Sequence, residues 1–452
     1  MRSDQEMPEP SVHSAQTGAR ALVVCMFVYN NMVHDARVSK EARTLTEAGY
    51  EVTVVAVHEP GRTPRDERVD GFRIVRQSRS ILGISRLEMG ALVRRQPSRP
   101  AMPKAGPQGQ AAAPSRRGGL PARAASLLES VVRLAVYPLR RVLVFARFVR
   151  AGLRTGADIY HAHDLNTLFM AWTASCLRRT PLVYDTHEVA TDRAAMKFRW
   201  WASLLEHVLI RRADRVICTT STRAEFTQKR YGIPMPTVLR NLPAAAEPEA
   251  SGLVHERLGL SAGEKIVLYQ GGIQPQRGLE QLLLAARDIR GGVVVFLGSG
   301  RLKPKLVEEA TELGLTGVVR FHDAVPVGKL PAWTACAYVG LQILQNTCFN
   351  HYSSLSNKLL EYLMAGVPVI ANDLPEMRRV IEDTGAGVII DASDPRAIAS
   401  AVNEILADPA RRERMSQAAK AARRTYSWET EQHILIALYG ELLSTRQASA
   451  RV

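Results

Sequence analysis

The chain has 452 residues but only five cysteines, Cys25, Cys176, Cys218, Cys336 and Cys348, and none of them share a paired spacing. Several sit in apolar runs, where a thiol serves as a small hydrophobe. No disulfide framework and no zinc site are expected, and a reducing, cytoplasmic compartment is. The chain also lacks an uninterrupted apolar stretch that could span a bilayer. The best candidate, 126–153, is broken by Arg133, Arg140, Arg141 and Arg147. The first residues carry Asp4, Glu6 and Glu9 where a secretory leader would have an apolar core, so no such leader is expected. Residues 94–124 lack any hydrophobic period. They are rich in Pro, Gly, Ala and Arg and read as a disordered insert, as 1–19 reads as a loose tail.

Charge is present in excess but concentrated in one place. Between Arg86 and Arg154 fourteen Lys and Arg face two acids, Glu88 and Glu129, which supplies +12 of the formal +15. The remainder is close to neutral, so no nucleic-acid-binding surface is expected on the fold. The basic stretch 126–153 reads as a helix kinked at Pro138. It suits either an element lying on an anionic membrane, apolar side down, or a domain helix with a solvated arginine face.

A composition of 46% apolar and 23% charged residues supports real cores, and the length suggests two domains, with three as the alternative. Residues 21–28 form a continuous apolar run, 34–50 carry Val38, Ala42 and Leu45 on one helical face ended by Gly49, and 51–57 are apolar again. Strand, helix and strand at this spacing predict a parallel sheet. A third strand is expected at 71–77, with others at 157–164, 181–188, 215–220 and 236–243. After a Pro- and Ala-rich joint at 243–252 a second series follows: 265–272, 293–300, 317–325, 337–344, 367–373 and 385–391. The expected architecture is α/β, with two Rossmann-like, doubly wound domains at 20–245 and 253–426. A closing helix at 427–445 has crossing back to the first domain as one option. A ligand is expected in the cleft between the strands' carboxyl ends.

Four stretches offer chemistry. In "SNKLLEYLMAGVPVIAND" (356–373) a helix from Lys358 to Ala365 ends at Gly366, and Pro368 blocks its continuation. Lys358 and Glu361 share a face of it, as a surface ion pair or as ligands. In "YQGGIQPQRGLEQLL" (269–283) Gly271 and Gly272 leave a strand, and Arg277-Gly278 precede a helix, which suits a diphosphate or simply a tight turn. Gly298 in "LGSG" is a second exit of this kind. His161 and His163 alternate along a strand, but with Asp164 they complete no metal set and read as a strand-end turn.

Together these stretches resemble the glycosyltransferase family 4 group of GT-B enzymes. The resemblance rests on G-G-x(4)-R-G-x-E followed by "NKLLEYLMAGVPVI", and in the first half on "DARVSKEARTLTEAGYEVTVVA", "DIYHAHDL", "YDTHE" and "RNLP". It covers roughly 20–80 and 155–440. It implies a retaining transfer from a nucleoside-diphosphate sugar, held mainly by the second domain, to an acceptor on the first. The donor is a substrate, and no cofactor or metal is implied. Glu361 would accept from the ribose hydroxyls, Arg277 would contact the diphosphate with Lys358 beside it, and His187 would face the donor sugar, with His163 as a second candidate. Gly271, Gly272 and Gly298 would line the donor side.

The sequence departs from the family pattern in three places. Ser353 stands where an acid is frequent eight residues before Glu361, and is counted with the donor-side residues. Gly271-Gly272 replaces a frequent Gly-Arg. "YNNMVHDAR" replaces a Gly-Gly-x-Glu loop, which makes Asn30, Asn31, His34 and Arg37 the acceptor-side candidates. The chain has no Asp-x-Asp, which counts against the metal-dependent sugar transferases of the other common fold. The basic segment points to a lipid-linked or cell-envelope glycan acceptor and to polysaccharide biosynthesis at the inner face of a membrane. The alternatives are a nucleotide-sugar epimerase of the same fold and an inactive membrane-associated scaffold.

Overall fold

Unbroken runs of Val, Ile and Leu make strands that bury both faces, and such strands need helices on either side. The computed structural model describes residues 20–80, 138–189 and 199–450. The expected tail at 1–19, the insert at 94–124 and residues 126–137 of the basic segment lie outside them. Two sheets result. The first has eight strands in the order β3-β4-β2-β1-β5-β6-β7-β8. They are β1 (Val23–Phe27), β2 (Glu51–His58), β3 (Asp66–Val69), β4 (Phe72–Ser78), β5 (Ile159–His163), β6 (Leu182–Thr186), β7 (Arg215–Cys218) and β8 (Thr237–Val238). The second has six in the order β11-β10-β9-β12-β13-β14. These are β9 (Ile266–Gln270), β10 (Val293–Leu297), β11 (Val319–His322), β12 (Val339–Gln342), β13 (Val369–Asn372) and β14 (Gly387–Ile390).

All pairings are parallel except β3 with β4. That hairpin turns through Asp70 (φ 49°) and Gly71 (φ 85°). The sequence reading took only β4, although Asp-Gly between two β-prone runs is a strong hairpin signal. Strand order reverses between β1 and β5 in the first sheet and between β9 and β12 in the second. At such switch points the loops diverge and leave a crevice.

The helix over residues 138–154 bears on the domain-helix alternative. Val144, Phe148 and Val149 are buried with Cys25, Phe27 and Val55 of the first sheet. The contact is close: a Cβ at Gly152 would lie 2.3 Å from the Phe27 ring. Most of the apolar side of the described part therefore belongs to the core, with Leu139 and Val142 among its exposed residues.

The last helix, Trp428–Ala450, returns to the first domain. Trp428, Leu435, Leu438, Tyr439 and Leu442 share a core with Val24, Val38 and Leu45. The Trp428 indole donates to the Thr44 hydroxyl (3.0 Å), and Arg240 grips Glu431 through two nitrogens (3.0 and 2.7 Å). Among the described residues no helix is long and apolar enough to cross a membrane.

Candidate active site

The wall on the side of the second sheet is built where β9 ends. Gly271 has φ 120°, and a Cβ there would lie 2.8 Å from the Lys358 Cε, so the lysine stem lies directly on the glycine. Gly278 (φ 78°) sits equally tightly, with its missing Cβ 2.2 Å from the Ile343 carbonyl oxygen. Lys358 opens the helix Asn357–Met364, which ends in a Schellman pair: Val367 N–H to Tyr362 O (2.9 Å) and Gly366 N–H to Leu363 O (3.0 Å). The Lys358 ammonium stands 5.6 Å from the Tyr269 ring centre, and burial, helped by Arg277, brings its pKa down to about 8. Arg277 is half-buried. Among the described residues neither cation has a carboxylate within ion-pair distance. The Lys358–Glu361 surface pair is thus not formed. Glu361 accepts instead from the Gln270 amide (2.5 Å), whose oxygen accepts from the Thr334 hydroxyl (2.8 Å), and burial raises its carboxyl.

The opposite wall comes from the exits of β1, β5 and β6. Asn30 and Asn31 each accept from a backbone N–H two residues on (2.8 and 3.0 Å) and donate to Asp35 and Glu59 (both 2.6 Å). Asp35 caps the helix Ala36–Glu47 through the Val38 N–H (3.0 Å). Two acceptor-side expectations need correction. The Arg37 guanidinium turns inward: it donates to Asp185 (2.9 Å) and the Leu239 carbonyl (2.9 Å) and pairs with Glu41 at 3.0 Å. His163 is 1% exposed and lies behind His187, its Nδ1 3.2 Å from His187 Nε2. His187 itself reaches the cleft. Asp164, at the exit of β5, adopts φ 62° and ψ 161°, a region nearly reserved for glycine, and such strain persists only where the surroundings impose it.

A third correction concerns Ser353. It is fully buried, its hydroxyl donates to Phe349 O (2.7 Å), and it accepts from Arg223 Nε (3.1 Å) across the two domains. Its carbonyl accepts from the Thr220 hydroxyl (2.9 Å), and nearby Glu376 accepts from Thr222 N–H (2.8 Å). A hydroxyl suits this position because its neighbour is an arginine from the other domain. Ser353 joins the two domains through these buried hydrogen bonds.

The fold also assembles what the strand alone did not. Glu41, His161, His163 and Asp185 are buried with ligand atoms within 4.8 Å of one another. These residue types suit a transition metal. Arg37, paired with both carboxylates, already supplies positive charge between them.

Between the walls lies a cavity of about 730 Å3, in the range of small-molecule sites. Asn30, Asn31, His34, Arg37, His187, Arg277 and Lys358 line it. Glu361, Gly271, Gly272, Gly298, His163 and Ser353 do not: the glycines shape the loops, and Glu361 stands one turn deeper, half-exposed, against Gln270. Sequence reasoning weighed Asp164 only within an incomplete metal set, and it missed Asp185 and Arg223. The first two sit at strand exits in "HAHD" and "YDTHE", where they could have been picked out. Arg223 lies inside an ordinary helix, Ser221–Tyr231, and nothing local marks it.

Two family models match. "Glycosyl transferase 4-like domain" covers residues 35–241, and "Glycosyl transferases group 1" covers 253–422. The chain is 27% identical over 327 residues to D-inositol 3-phosphate glycosyltransferase of Thermomonospora curvata, covering 65% of this chain and 73% of that one. The Streptomyces avermitilis protein of the same name is 28% identical over 307 residues, covering 62% and 64%. Among solved structures, sucrose-phosphate synthase from Thermosynechococcus elongatus superposes with a TM-score of 0.67 at 18% identity, over 94% of this chain and 100% of that one. Anabaena HepE in complex with UDP gives 0.64 at 15% identity, with the same coverage.

Proposed function

The chain belongs to family 4 of the GT-B glycosyltransferases, and from that premise we propose a retaining transfer of a sugar from a nucleoside diphosphate to a glycan or lipid-linked acceptor. The observation that carries this reading is the pair Arg277 and Lys358 on one cavity wall, two cations with no carboxylate partner among the described residues. Cations left unpaired in a half-buried wall are suited to an anionic ligand. Their place at the exit of β9 fits a diphosphate lying over Gly271. The HepE structures hold UDP, UDP with glucose, and UDP-glucose, which supports a donor of this class. In a retaining step the anomeric C–O bond to the diphosphate breaks, the acceptor oxygen bonds to the same face, and its proton passes to the departing phosphate. No side chain is asked to be a nucleophile. Arg277 and Lys358 stabilise the growing charge, and Glu361 takes the ribose hydroxyls after shifting from Gln270.

Glu361→Gln tests the donor role more cleanly than alanine, because the amide oxygen can still accept from buried Gln270. Losing a charged acceptor for two hydroxyls is expected to weaken nucleoside-diphosphate binding by about tenfold or more, read by calorimetric titration, with the melting temperature close to wild type. Unchanged affinity would remove Glu361 from the site.

Peripheral membrane contact, at the inner face of a membrane, is a second part of the proposal. The helix Leu165–Arg178 packs on the helix Arg199–Leu209, and Phe145 stacks on Phe169 at 4.9 Å. Along this surface Val142, Phe169, Trp200, Leu204 and Val208 are exposed, among Arg140, Arg141, Arg211 and Arg212. Apolar tips within a basic field suit an anionic bilayer. The protein should sediment with phosphatidylglycerol vesicles and not with phosphatidylcholine ones, and Trp200→Ser with Leu204→Ser should abolish this. Equal behaviour on both lipids would dismiss the contact.

A further inference from the structure

Arg223 is 7% exposed, and among the described residues none of its hydrogen-bond partners is a carboxylate. Its guanidinium meets neutral oxygens from both sides of the cleft. Nε donates to the Ser353 hydroxyl (3.1 Å) and Nη2 to the Asn350 carbonyl (3.2 Å), both in the second domain. Nη1 donates to the His187 carbonyl and to the Thr219 hydroxyl (2.7 Å), both in the first. A buried charge with neutral partners is costly, and apolar side chains of similar volume often serve a fold as well or better. Stability alone therefore does not account for an arginine at this place.

The seam around it converges on one short element. The Thr220 hydroxyl donates to Ser353 O (2.9 Å), Val189 N–H to Asn350 Oδ1 (2.9 Å), and the Asn350 amide back to Val189 O (3.1 Å). Phe226 lies against Phe349 with ring centres 4.3 Å apart. All these second-domain partners belong to the single helical turn Phe349–Tyr352 and to Ser353, just ahead of the helix that Lys358 opens. Ser354, Leu355, Ser356 and Asn357, which connect the two, line the cavity, and so does Arg223 itself. On the other side, the carbonyl that Arg223 holds belongs to His187, whose ring stands in the cleft with Nε2 3.2 Å from buried Asp185 and Nδ1 4.0 Å from Asp164.

We propose that Arg223 is a positioning residue that sets the spacing of the two cavity walls, by tying the His187 main chain to the turn that carries Lys358. The inference rests on the donor reading above. On that reading a diphosphate held by Arg277 and Lys358 moves with the second domain, while the acceptor rests on the first. Attack on the anomeric carbon needs the two at contact distance, and a misplacement of about 1 Å costs up to about 10²-fold in rate. Donor binding needs only the second-domain wall. Arg223 thus acts on the transfer step and not on donor affinity. Lysine is no substitute, because one ammonium does not span acceptors that a planar guanidinium reaches from three nitrogens.

The test joins amide hydrogen exchange, calorimetric titration and kinetics on full-length Arg223→Met. The probe is the nucleotide sugar that most stabilises the protein in a thermal-shift screen, with UDP-glucose tried first. In the wild type the amides of 187–189 and 349–353 should be protected. In the variant they should lose that protection, while those of β9 keep theirs. Affinity for the nucleotide sugar should stay within about threefold of wild type, and kcat for its consumption should fall by about 10–100-fold. Should Arg223→Met fail to fold, Ser353→Ala removes one acceptor and leaves the guanidinium its others; kcat should then fall by about threefold or more at unchanged affinity. Wild-type kcat in either folded variant overturns the proposal, as does a wild type whose 187–189 and 349–353 amides exchange like exposed chain. An affinity loss as large as the loss in kcat overturns it too, because Arg223 would then hold the donor itself. A wild type that binds no nucleotide sugar, in which Arg223→Met still releases both segments, defeats the donor reading and leaves Arg223 as the tie between the walls.

Discussion

Arg277→Ala should lower kcat by about 10²–10³-fold while leaving the melting temperature near that of the wild type. The side chain is half-buried on the cavity wall, and among the described residues it holds no carboxylate. Its removal therefore orphans nothing in the folded protein. The loss falls on the reaction, because the charge on the leaving diphosphate grows as the anomeric bond breaks and a guanidinium already in place costs no reorganisation. Lys358 remains and keeps part of the binding, so kcat should suffer more than donor affinity. Arg277→Lys should recover only part of the rate, since a point charge replaces a planar fork that meets two phosphate oxygens. Steady-state kinetics with the nucleotide sugar that most stabilises the protein in a thermal-shift screen measures both. A variant with wild-type kcat would show that the leaving group lies elsewhere.

Gly298→Ala is expected to damage stability and donor binding together. A Cβ at this position would stand 1.9 Å from the Gly271 carbonyl oxygen and 2.9 Å from its carbon, on a backbone with φ 154°. The neighbour is main chain, held by the Gly271 N–H to Leu297 O bond (2.9 Å), so it has little freedom to give way. Relief requires the exit of β9 to move, and Gly271 already lies against the Lys358 stem. The methyl group thus displaces the loop beneath the proposed diphosphate. A cost above about 3 kcal/mol is expected, at the upper end of overpacking. It would be read as a melting temperature lower by several degrees and a lost response to nucleoside diphosphates. Gly272→Ala is the internal control, because its Cβ would meet only the Gln274 Cγ at an ordinary 3.6 Å. If both variants melt like the wild type, the two glycine exits are not packed as described.

The contrast between these two glycines shows where sequence reading stopped. "YQGG" and "LGSG" look alike on the page, each a strand ending in glycine, and both suggested a close approach by an anion. In the fold they approach one another, and only one of the four glycines meets the lysine. Ser353 was read through the acid it replaces, yet its partner Arg223 is 130 positions away in the chain and has no local signature. Arg37 was read as an acceptor-side candidate because its loop replaces the family's Gly-Gly-x-Glu. It does line the cavity, but its guanidinium is engaged by Asp185, 148 positions later.

By itself the sequence determined the two doubly wound sheets and the helix carrying Lys358 and Glu361. Those follow from hydrophobic period, glycine and proline punctuation and strand length, all of which act within a few neighbouring residues. Tertiary structure alone decided which candidates face the cavity, which cations stay unpaired, and which acids stand behind His187. Charge and hydrogen bonding operate over a few ångströms in space, and only the folded backbone brings residues so distant in the chain within that reach.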